Sequence, residues 1–397
     1  MKYDFDTVVD RRGTACVKWD APNGTPVPPG EVIPMWVADM DFRTAPCIVE
    51  ALRKRVEHGV FGYTLVPDSY YEAVISWFSR RRGWQIRKEW ILHTTAVVPA
   101  LSVCIKAFTK PGDKVVFLTP AYNCFFTSIQ DAGAVGSESP LLYHTENEVI
   151  KVSVDWEDLE RRCADPAAKV LLLCNPHNPV GRIWTPEELT RFGDMARRHG
   201  LTVLSDEIHC ELEMPGHRFT PFASLSPENE ACCVTMNSPS KSFNTASLQI
   251  ANIICSREDW RERIRRVLGI YQVREVGPFG VVGLEAAYNE GEPWLAELNA
   301  YIWENYRLLK EMFQKELPFC RVTDLQATYL AWVDISALGI SSEKVVESLI
   351  ATEHVRPGPG ALYGDDRFLR INLACPRALC EEGLQRMVRG LRRLYNG

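Results

Sequence analysis

Five short, almost uninterrupted apolar runs separated by helical stretches constrain this chain more than any other feature. They fall at residues 114–118, 169–174, 201–205, 232–236 and 250–255. A strand with one face in water alternates apolar and polar residues, whereas a strand covered on both faces need not. The runs therefore predict an α/β fold with a mostly parallel sheet and helices on both sides. Between two of them, Thr185 is followed three residues later by Glu188, a capping box, and the helix it opens should stop at Gly200. A second helix is predicted over 68–82, with Tyr71, Val74, Ile75 and Phe78 on one face and Arg80, Arg81 and Arg82 as its solvated end.

The character changes after about residue 288. A long helical stretch over 293–317 precedes short strands near 329–334 and 368–373, and a closing helix follows Pro376. This predicts a second, smaller α+β domain. The Pro/Gly-rich segment up to about Pro34 is expected to pack on it. The division is thus a large α/β domain over 46–288 and a smaller α+β domain from 1–45 and 289–397.

With 397 residues the chain can bury two cores. Its net charge of −6 speaks against a nucleic-acid surface. No apolar run approaches a membrane span, and the first residues lack a signal-peptide pattern, so a cytoplasmic location is expected. The 13 cysteines are scattered, with no CxxC pair, and read as reduced thiols rather than a disulfide framework. No metal site is expected: His209, Glu211 and His217 lack a ligand spacing and read as polar loop residues.

In open α/β sheets the ligand crevice lies outside the carboxyl ends of the strands, so the residues there carry the chemistry. Run 201–205 leads into Asp206-Glu207-Ile208-His209. A buried Asp needs a cationic or strongly donating partner, and a protonated pyridinium is one. Taken alone, Asp206 is read equally well as a turn cap. Run 232–236 leads into Ser238-Pro239-Ser240-Lys241. An amine there can form a Schiff base and later act as a base, although an isolated lysine in this setting is ordinarily a surface residue. Run 169–174 leads into Asn175-Pro176-His177-Asn178-Pro179-Val180-Gly181, whose two Asn-Pro steps and glycine force an irregular turn.

The order and spacing of these three segments resemble the fold-type I enzymes that use pyridoxal 5'-phosphate (PLP), in the class I/II aminotransferase superfamily. The resemblance spans nearly the whole chain. It implies that Lys241 is the Schiff-base lysine, Asp206 the partner of the pyridine nitrogen, and Asn178 the donor to the ring O3'. Tyr122, in Pro120-Ala121-Tyr122, is implied as the aromatic stacked on the ring. Ser238 and the backbone amides of Ala96 and Val97 are implied phosphate ligands. Arg370, in Leu369-Arg370-Ile371-Asn372, resembles the arginine that grips the substrate α-carboxylate. Tyr63, in Gly62-Tyr63-Thr64, resembles a tyrosine that reaches the phosphate of the partner subunit, which implies a homodimer with shared active sites.

Several runs resemble more narrowly the cystathionine β-lyase and C–S lyase subgroup. They are Pro34-Met35-Trp36-Val37-Ala38-Asp39-Met40-Asp41-Phe42, Ser205-Asp206-Glu207-Ile208-His209, Ser238-Pro239-Ser240-Lys241-Ser242-Phe243-Asn244, and the segment from Arg370 to Arg377. His209 stands where aminotransferases have a tyrosine near O3', and Gln249 where they have a phosphate-binding arginine. Ala96 stands where the subgroup has glycine, and its methyl is expected to limit φ and shift the phosphate loop. The implied activity is β-elimination from cystathionine or another S-substituted cysteine, giving pyruvate, ammonia and a thiol. Lys241 is the base, Tyr122 or Tyr63 the proton donor to sulfur, and Trp36 a lining residue. The alternatives are an aminotransferase of a small amino acid, a specialised biosynthetic PLP enzyme, and a PLP-fold protein acting as a binding or regulatory partner.

Overall fold

The computed structural model describes residues 2–22, 24 and 27–397. Residues 1, 23, 25 and 26 lie outside the described residues, and part of the Pro/Gly-rich N-terminal reading falls on them. The apolar runs do form the middle of a seven-stranded sheet. Its order is Ile91–Thr94, Ala251–Ile254, Cys233–Asn237, Thr202–Asp206, Ala168–Cys174, Lys114–Thr119 and Val135–Pro140. All neighbours are parallel except Ala251–Ile254, which runs antiparallel to both of its partners. Helix Pro186–His199 carries the capping box at Thr185 and Glu188, and Gly200 closes it in the left-handed conformation.

A second sheet has the order Ile33–Met35, Val355–Pro359, Phe368–Asn372, Leu330–Asp334 and Arg321–Val322. One face is packed on helix Arg377–Asn396. There Ile33 and Met35 lie so close to Gly383 that a Cβ on that glycine would meet the Met35 sulfur at 2.6 Å. Helix Glu292–Glu316 also packs against Arg377–Asn396. The N-terminal strand joins this sheet parallel to Val355–Pro359, which fixes the following segment, 36–41, over the carboxyl ends of the larger sheet.

Helix Asp68–Arg82 forms over the predicted span, but its buried face is rotated. Tyr70, Ala73, Val74, Trp77 and Phe78 are buried, while Tyr71 and Ile75 are half-buried. The cause is helix Pro278–Glu290, whose Tyr288 ring stacks on Trp77 at 4.8 Å. The arginine-rich end is not solvated as predicted. Only Arg80 is exposed. The side chain of Arg82 is 3% exposed and contacts Glu211 at 3.0 Å and Glu213 at 2.8 Å, and Arg81 contacts Glu211 at 2.7 Å. Sequence periodicity places charges at a helix end but does not show that the turn after strand Thr202–Asp206 brings carboxylates to it.

Candidate active site

One cavity at the carboxyl ends of the larger sheet is lined by Ala38, Thr95, Ala96, Val97, Val98, Tyr122, Cys174, Asn178, Asp206, Ile208, His209, Ser240 and Lys241, with Ala246 and Ile250. Five strand ends feed it. Side-chain alternation decides between the adjacent carboxylates. Asp206, the last residue of its strand, points into the cavity. Glu207 points away and accepts from Phe222 N at 3.0 Å and Ser205 Oγ at 2.8 Å. Burial pushes Glu207 up to about 8, so it is neutral there.

The charges in the cavity are under-compensated. Asp206 is 5% exposed, and its carboxylate accepts from Ile208 N at 3.1 Å. Burial pushes its pKa up to about 6, against the pull of that N–H and of Lys241. The Lys241 amine donates to Ala38 O at 2.6 Å. Burial and the nearby Arg370 lower it to about 8, with Asp39 and Asp206 opposing. His209 is driven down to about 3 by burial, Lys241 and Arg370, so it is a neutral imidazole. Its Nδ1 is buried without a partner among the described residues.

Arg370 stands at the edge of the cavity. Its Nη1 donates to Asn178 Oδ1 at 3.2 Å and its Nη2 to Trp36 O at 2.8 Å, with the guanidinium over the Tyr363 ring at 4.3 Å. The Asn178 carbonyl oxygen is therefore occupied by a cation, and its Nδ2 amide N–H is the group left to donate into the cavity. That orienting contact joins two residues 192 positions apart and had no signal in the sequence. Gly181 ends the same turn at φ +73°, and a Cβ there would meet Leu325 Cδ1 at 2.4 Å. Both conditions require glycine.

The phosphate loop differs from expectation. Ala96 is the N-cap of helix Val97–Phe108 with φ −163° and ψ 168°. That is extended backbone open to any residue, so the methyl imposes no restriction on φ there. The helix N-terminus opens on the cavity as an anion site would.

Three sequence-predicted residues lie elsewhere. Ser238 Oγ donates to Ile250 O at 2.6 Å and accepts from Ser240 N, so the serine against the cavity is Ser240. Trp36 contributes its carbonyl to Arg370, while its indole N–H donates outward to Lys18 O at 3.3 Å. Tyr63 is fully exposed and is not brought to the cavity within one chain. Glu211 is tied to Arg81, Arg82 and Trp77, and no group of three metal-ligating side chains occurs among the described residues.

Segment 36–41 lies inside the signature run 34–42, but its hydrogen bonds to the site residues are made by main-chain carbonyls. Trp36 O takes Arg370, and Ala38 O takes both Lys241 and Tyr329 Oη. Val37 O and Asp39 O take the Asn372 amide at 2.5 and 2.7 Å. A buried ion cluster holds the segment from below: Lys18 Nζ and Arg11 Nη1 contact Asp41 at 2.7 and 2.8 Å. Backbone acceptors carry no side-chain signature, so sequence alone gives Ala38 no role of its own, and Tyr329 meets it from 291 positions away.

A buried lysine amine, an under-compensated carboxylate, an aromatic face, an amide donor and a helix N-terminus surround one space. This donor set fits a phosphorylated pyridine aldehyde, and the His209 nitrogen and the Asn178 side-chain amide N–H, both without a partner among the described residues, are the polar groups such a ring would meet.

Comparison with known proteins identifies the family. Residues 31–387 match the family "Aminotransferase class I and II". The chain is 39% identical to cystathionine beta-lyase PatB of Bacillus subtilis over 386 residues, 97% of this chain and 98% of that one. The structure superposes on cystalysin from Treponema denticola, which contains a PLP cofactor, with a TM-score of 0.93 and 34% identity, covering 99% and 100% of the two chains. It superposes on the PLP-bound C-S lyase of Staphylococcus hominis with a TM-score of 0.90 and 31% identity, covering 98% of each.

Proposed function

The chain belongs to the class I and II aminotransferase family, and from that premise we propose that it is a PLP-dependent carbon–sulfur β-lyase. Its substrate is cystathionine or another S-substituted cysteine, and its products are pyruvate, ammonia and a thiol. The observation that carries this reading is the convergence of Lys241, Asp206 and Asn178 on one cavity with Arg370 at its edge. It occurs in a chain aligned from end to end with a cystathionine β-lyase.

PLP, when bound, supplies an electron sink for the electron pair left at Cα. Lys241 is the residue that would hold it, with Asp206 at the ring nitrogen, Asn178 and His209 near the ring oxygen, and Tyr122 on the face. The N–H groups of Ala96 and Val97, with Ser240, suit the phosphate. Asp206 would favour a proton on the nitrogen, because a cation there opposes the burial that raises its pKa and holds the carboxylate ionised. Arg370 grips the α-carboxylate and so fixes which bond at Cα faces Lys241. The Lys241 amine, depressed to about 8, is a competent base for the Cα proton near neutral pH. Tyr122 is raised by burial and stays protonated, so its hydroxyl can donate to a departing sulfur.

The reading includes the division into a large domain over 46–288 and a smaller one from 1–45 and 289–397. It also includes a cytoplasmic homodimer. Among the described residues, no helix is long and apolar enough to cross a membrane. Val60, Phe61, Tyr63 and Leu65 are 64%, 53%, 102% and 88% exposed. This segment borders a groove of about 650 Å³. An apolar run of that kind calls for a partner surface, and a second copy would bring Tyr63 to the neighbouring cavity.

The test supplies S-substituted cysteines to the PLP-loaded protein without any 2-oxo acid and assays pyruvate and thiol together. Sustained equimolar release is expected. Amino-group exchange that needs a 2-oxo acid, with no thiol released, would replace the lyase by an aminotransferase.

A further inference from the structure

Arg356 has no part in the site so far described. It lies on strand Val355–Pro359, between the N-terminal strand and Phe368–Asn372. Register sets it beside Pro34, and sets Gly358, two residues on, opposite Arg370. Directly paired residues project to the same side of a sheet, as do residues two apart on one strand. Arg356 and Arg370 therefore leave the sheet from one face. A Cβ on Gly358 would lie 3.7 Å from the Arg370 Cβ, which agrees. The other face is packed on helix Arg377–Asn396 through Ile33 and Met35, the neighbours of Pro34. Arg356 thus stands on the face from which Arg370 reaches Asn178 and the cavity.

Trp36 links the two cations. Its carbonyl accepts from Arg370, and the Arg356 guanidinium lies over its indole with the central carbon 3.9 Å from the ring centroid. The indole is fixed in turn by Lys18 O. Among the described residues Arg356 makes one hydrogen bond, to Pro22 O at 3.2 Å, and no ion pair. A guanidinium has five N–H donors in a fork that suits a carboxylate. Its stem is half-buried and burial lowers its pKa, with no carboxylate to oppose the shift. The Arg356 and Arg370 backbones are two residues apart along a strand and one strand apart across, roughly 6–7 Å by 5 Å. An extended substrate with an acid at each end can span that distance.

We propose that Arg356 is a second anion-binding residue, which receives a carboxylate on the thiol half of the substrate while Arg370 holds the α-carboxylate. The preferred substrates are then S-substituted cysteines ending in a distal carboxylate, not short S-alkyl cysteines. The nature of the substrate rests on the lyase reading above; the subsite itself does not.

The experiment pairs S-(3-carboxypropyl)-L-cysteine with its amide, S-(3-carbamoylpropyl)-L-cysteine, so that only the charge differs. The PLP-loaded protein should favour the acid in kcat/KM by about tenfold or more, the effect of a charge-assisted contact. Arg356→Gln should bring the ratio near one, and Arg356→Lys should keep part of it. In parallel, calorimetry measures binding of L-2-aminosuberate and its ω-amide, carbon analogues with no leaving sulfur. The same loss of preference in Arg356→Gln is expected in affinity. An acid-to-amide ratio equal in wild type and Arg356→Gln in both assays overturns the proposal. Failure of the sulfur compounds to release pyruvate, with the aminosuberate preference intact and dependent on Arg356, overturns the lyase reading and leaves the subsite standing.

Discussion

Two clusters of buried charge sit near each other in this molecule and differ in one respect. Around the end of helix Asp68–Arg82, Glu211 Oε1 accepts from Trp77 and Oε2 from both Arg81 and Arg82. Burial pushes Glu211 up, but the two arginines outweigh it and hold its pKa below the usual value. In the cavity, Asp206 and Lys241 are displaced the other way, each toward its neutral form. In the first cluster every charge is countered within the chain, although Arg82 Nε has no hydrogen-bond partner among the described residues. The second lacks counter-charges and hydrogen-bond partners that a ligand would bring. A buried charge that the fold completes is structure, and one that it leaves incomplete is a candidate for chemistry.

Emptying the second cluster should leave the fold and remove the function. Lys241→Ala is expected to lower turnover by at least about three orders of magnitude and to abolish the visible absorbance of lysine-bound PLP. Its denaturation midpoint as apoprotein should not fall, since a desolvated cation is removed. Turnover near the wild-type level would break the assignment.

Breaking the first cluster should do the reverse. Glu211→Ala leaves Arg82 buried without its main partner, and is expected to destabilise by about 3–5 kcal/mol. Denaturant titration measures this, while activity per folded molecule should persist. A loss of activity without loss of stability would make Glu211 part of the site and erase the distinction.

Arg370 belongs to both categories, because it is paired with Asn178 and Trp36 and yet faces the cavity. Arg370→Ala should weaken amino-acid substrates by about 1.5–3 kcal/mol, roughly ten- to hundredfold, mostly in KM. Asn178 then loses its orienting contact, so PLP affinity should fall slightly as well. Unchanged KM would move the carboxylate clamp elsewhere.

What the sequence disclosed follows the same division. Lys241, Asp206 and Asn178 were legible because each follows an apolar run, and the ends of parallel strands converge in any sheet of this type. Helix Pro186–His199 was legible because its cap is local. Arg81 and Arg82 were misread because their partners lie some 130 residues away, and local pattern carries no such pairing. Ala96 was misjudged because its φ depends on how helix Val97–Phe108 begins, not on the residue type. The carbonyl of Ala38 was invisible for a simpler reason, since every residue has one.

The smallest expected effect is also the most discriminating. If Lys241 is held in a cavity short of counter-charge, its amine should titrate at about 8, not near the ordinary 10.5. Only the neutral amine attacks an aldehyde. The initial rate at which apoprotein takes up PLP, followed by visible absorbance, should rise about tenfold per pH unit below 8 and level off above it. Burial and Arg370 lower this amine, while Asp39 and Asp206 raise it. Arg370→Gln should therefore move the midpoint up, and Asp206→Asn should move it down. The paired cluster serves as the control, because Glu211→Gln should leave the midpoint where it is. A midpoint near 10.5 in the wild type would mean that water or an unseen carboxylate completes the cavity as fully as Arg81 and Arg82 complete Glu211.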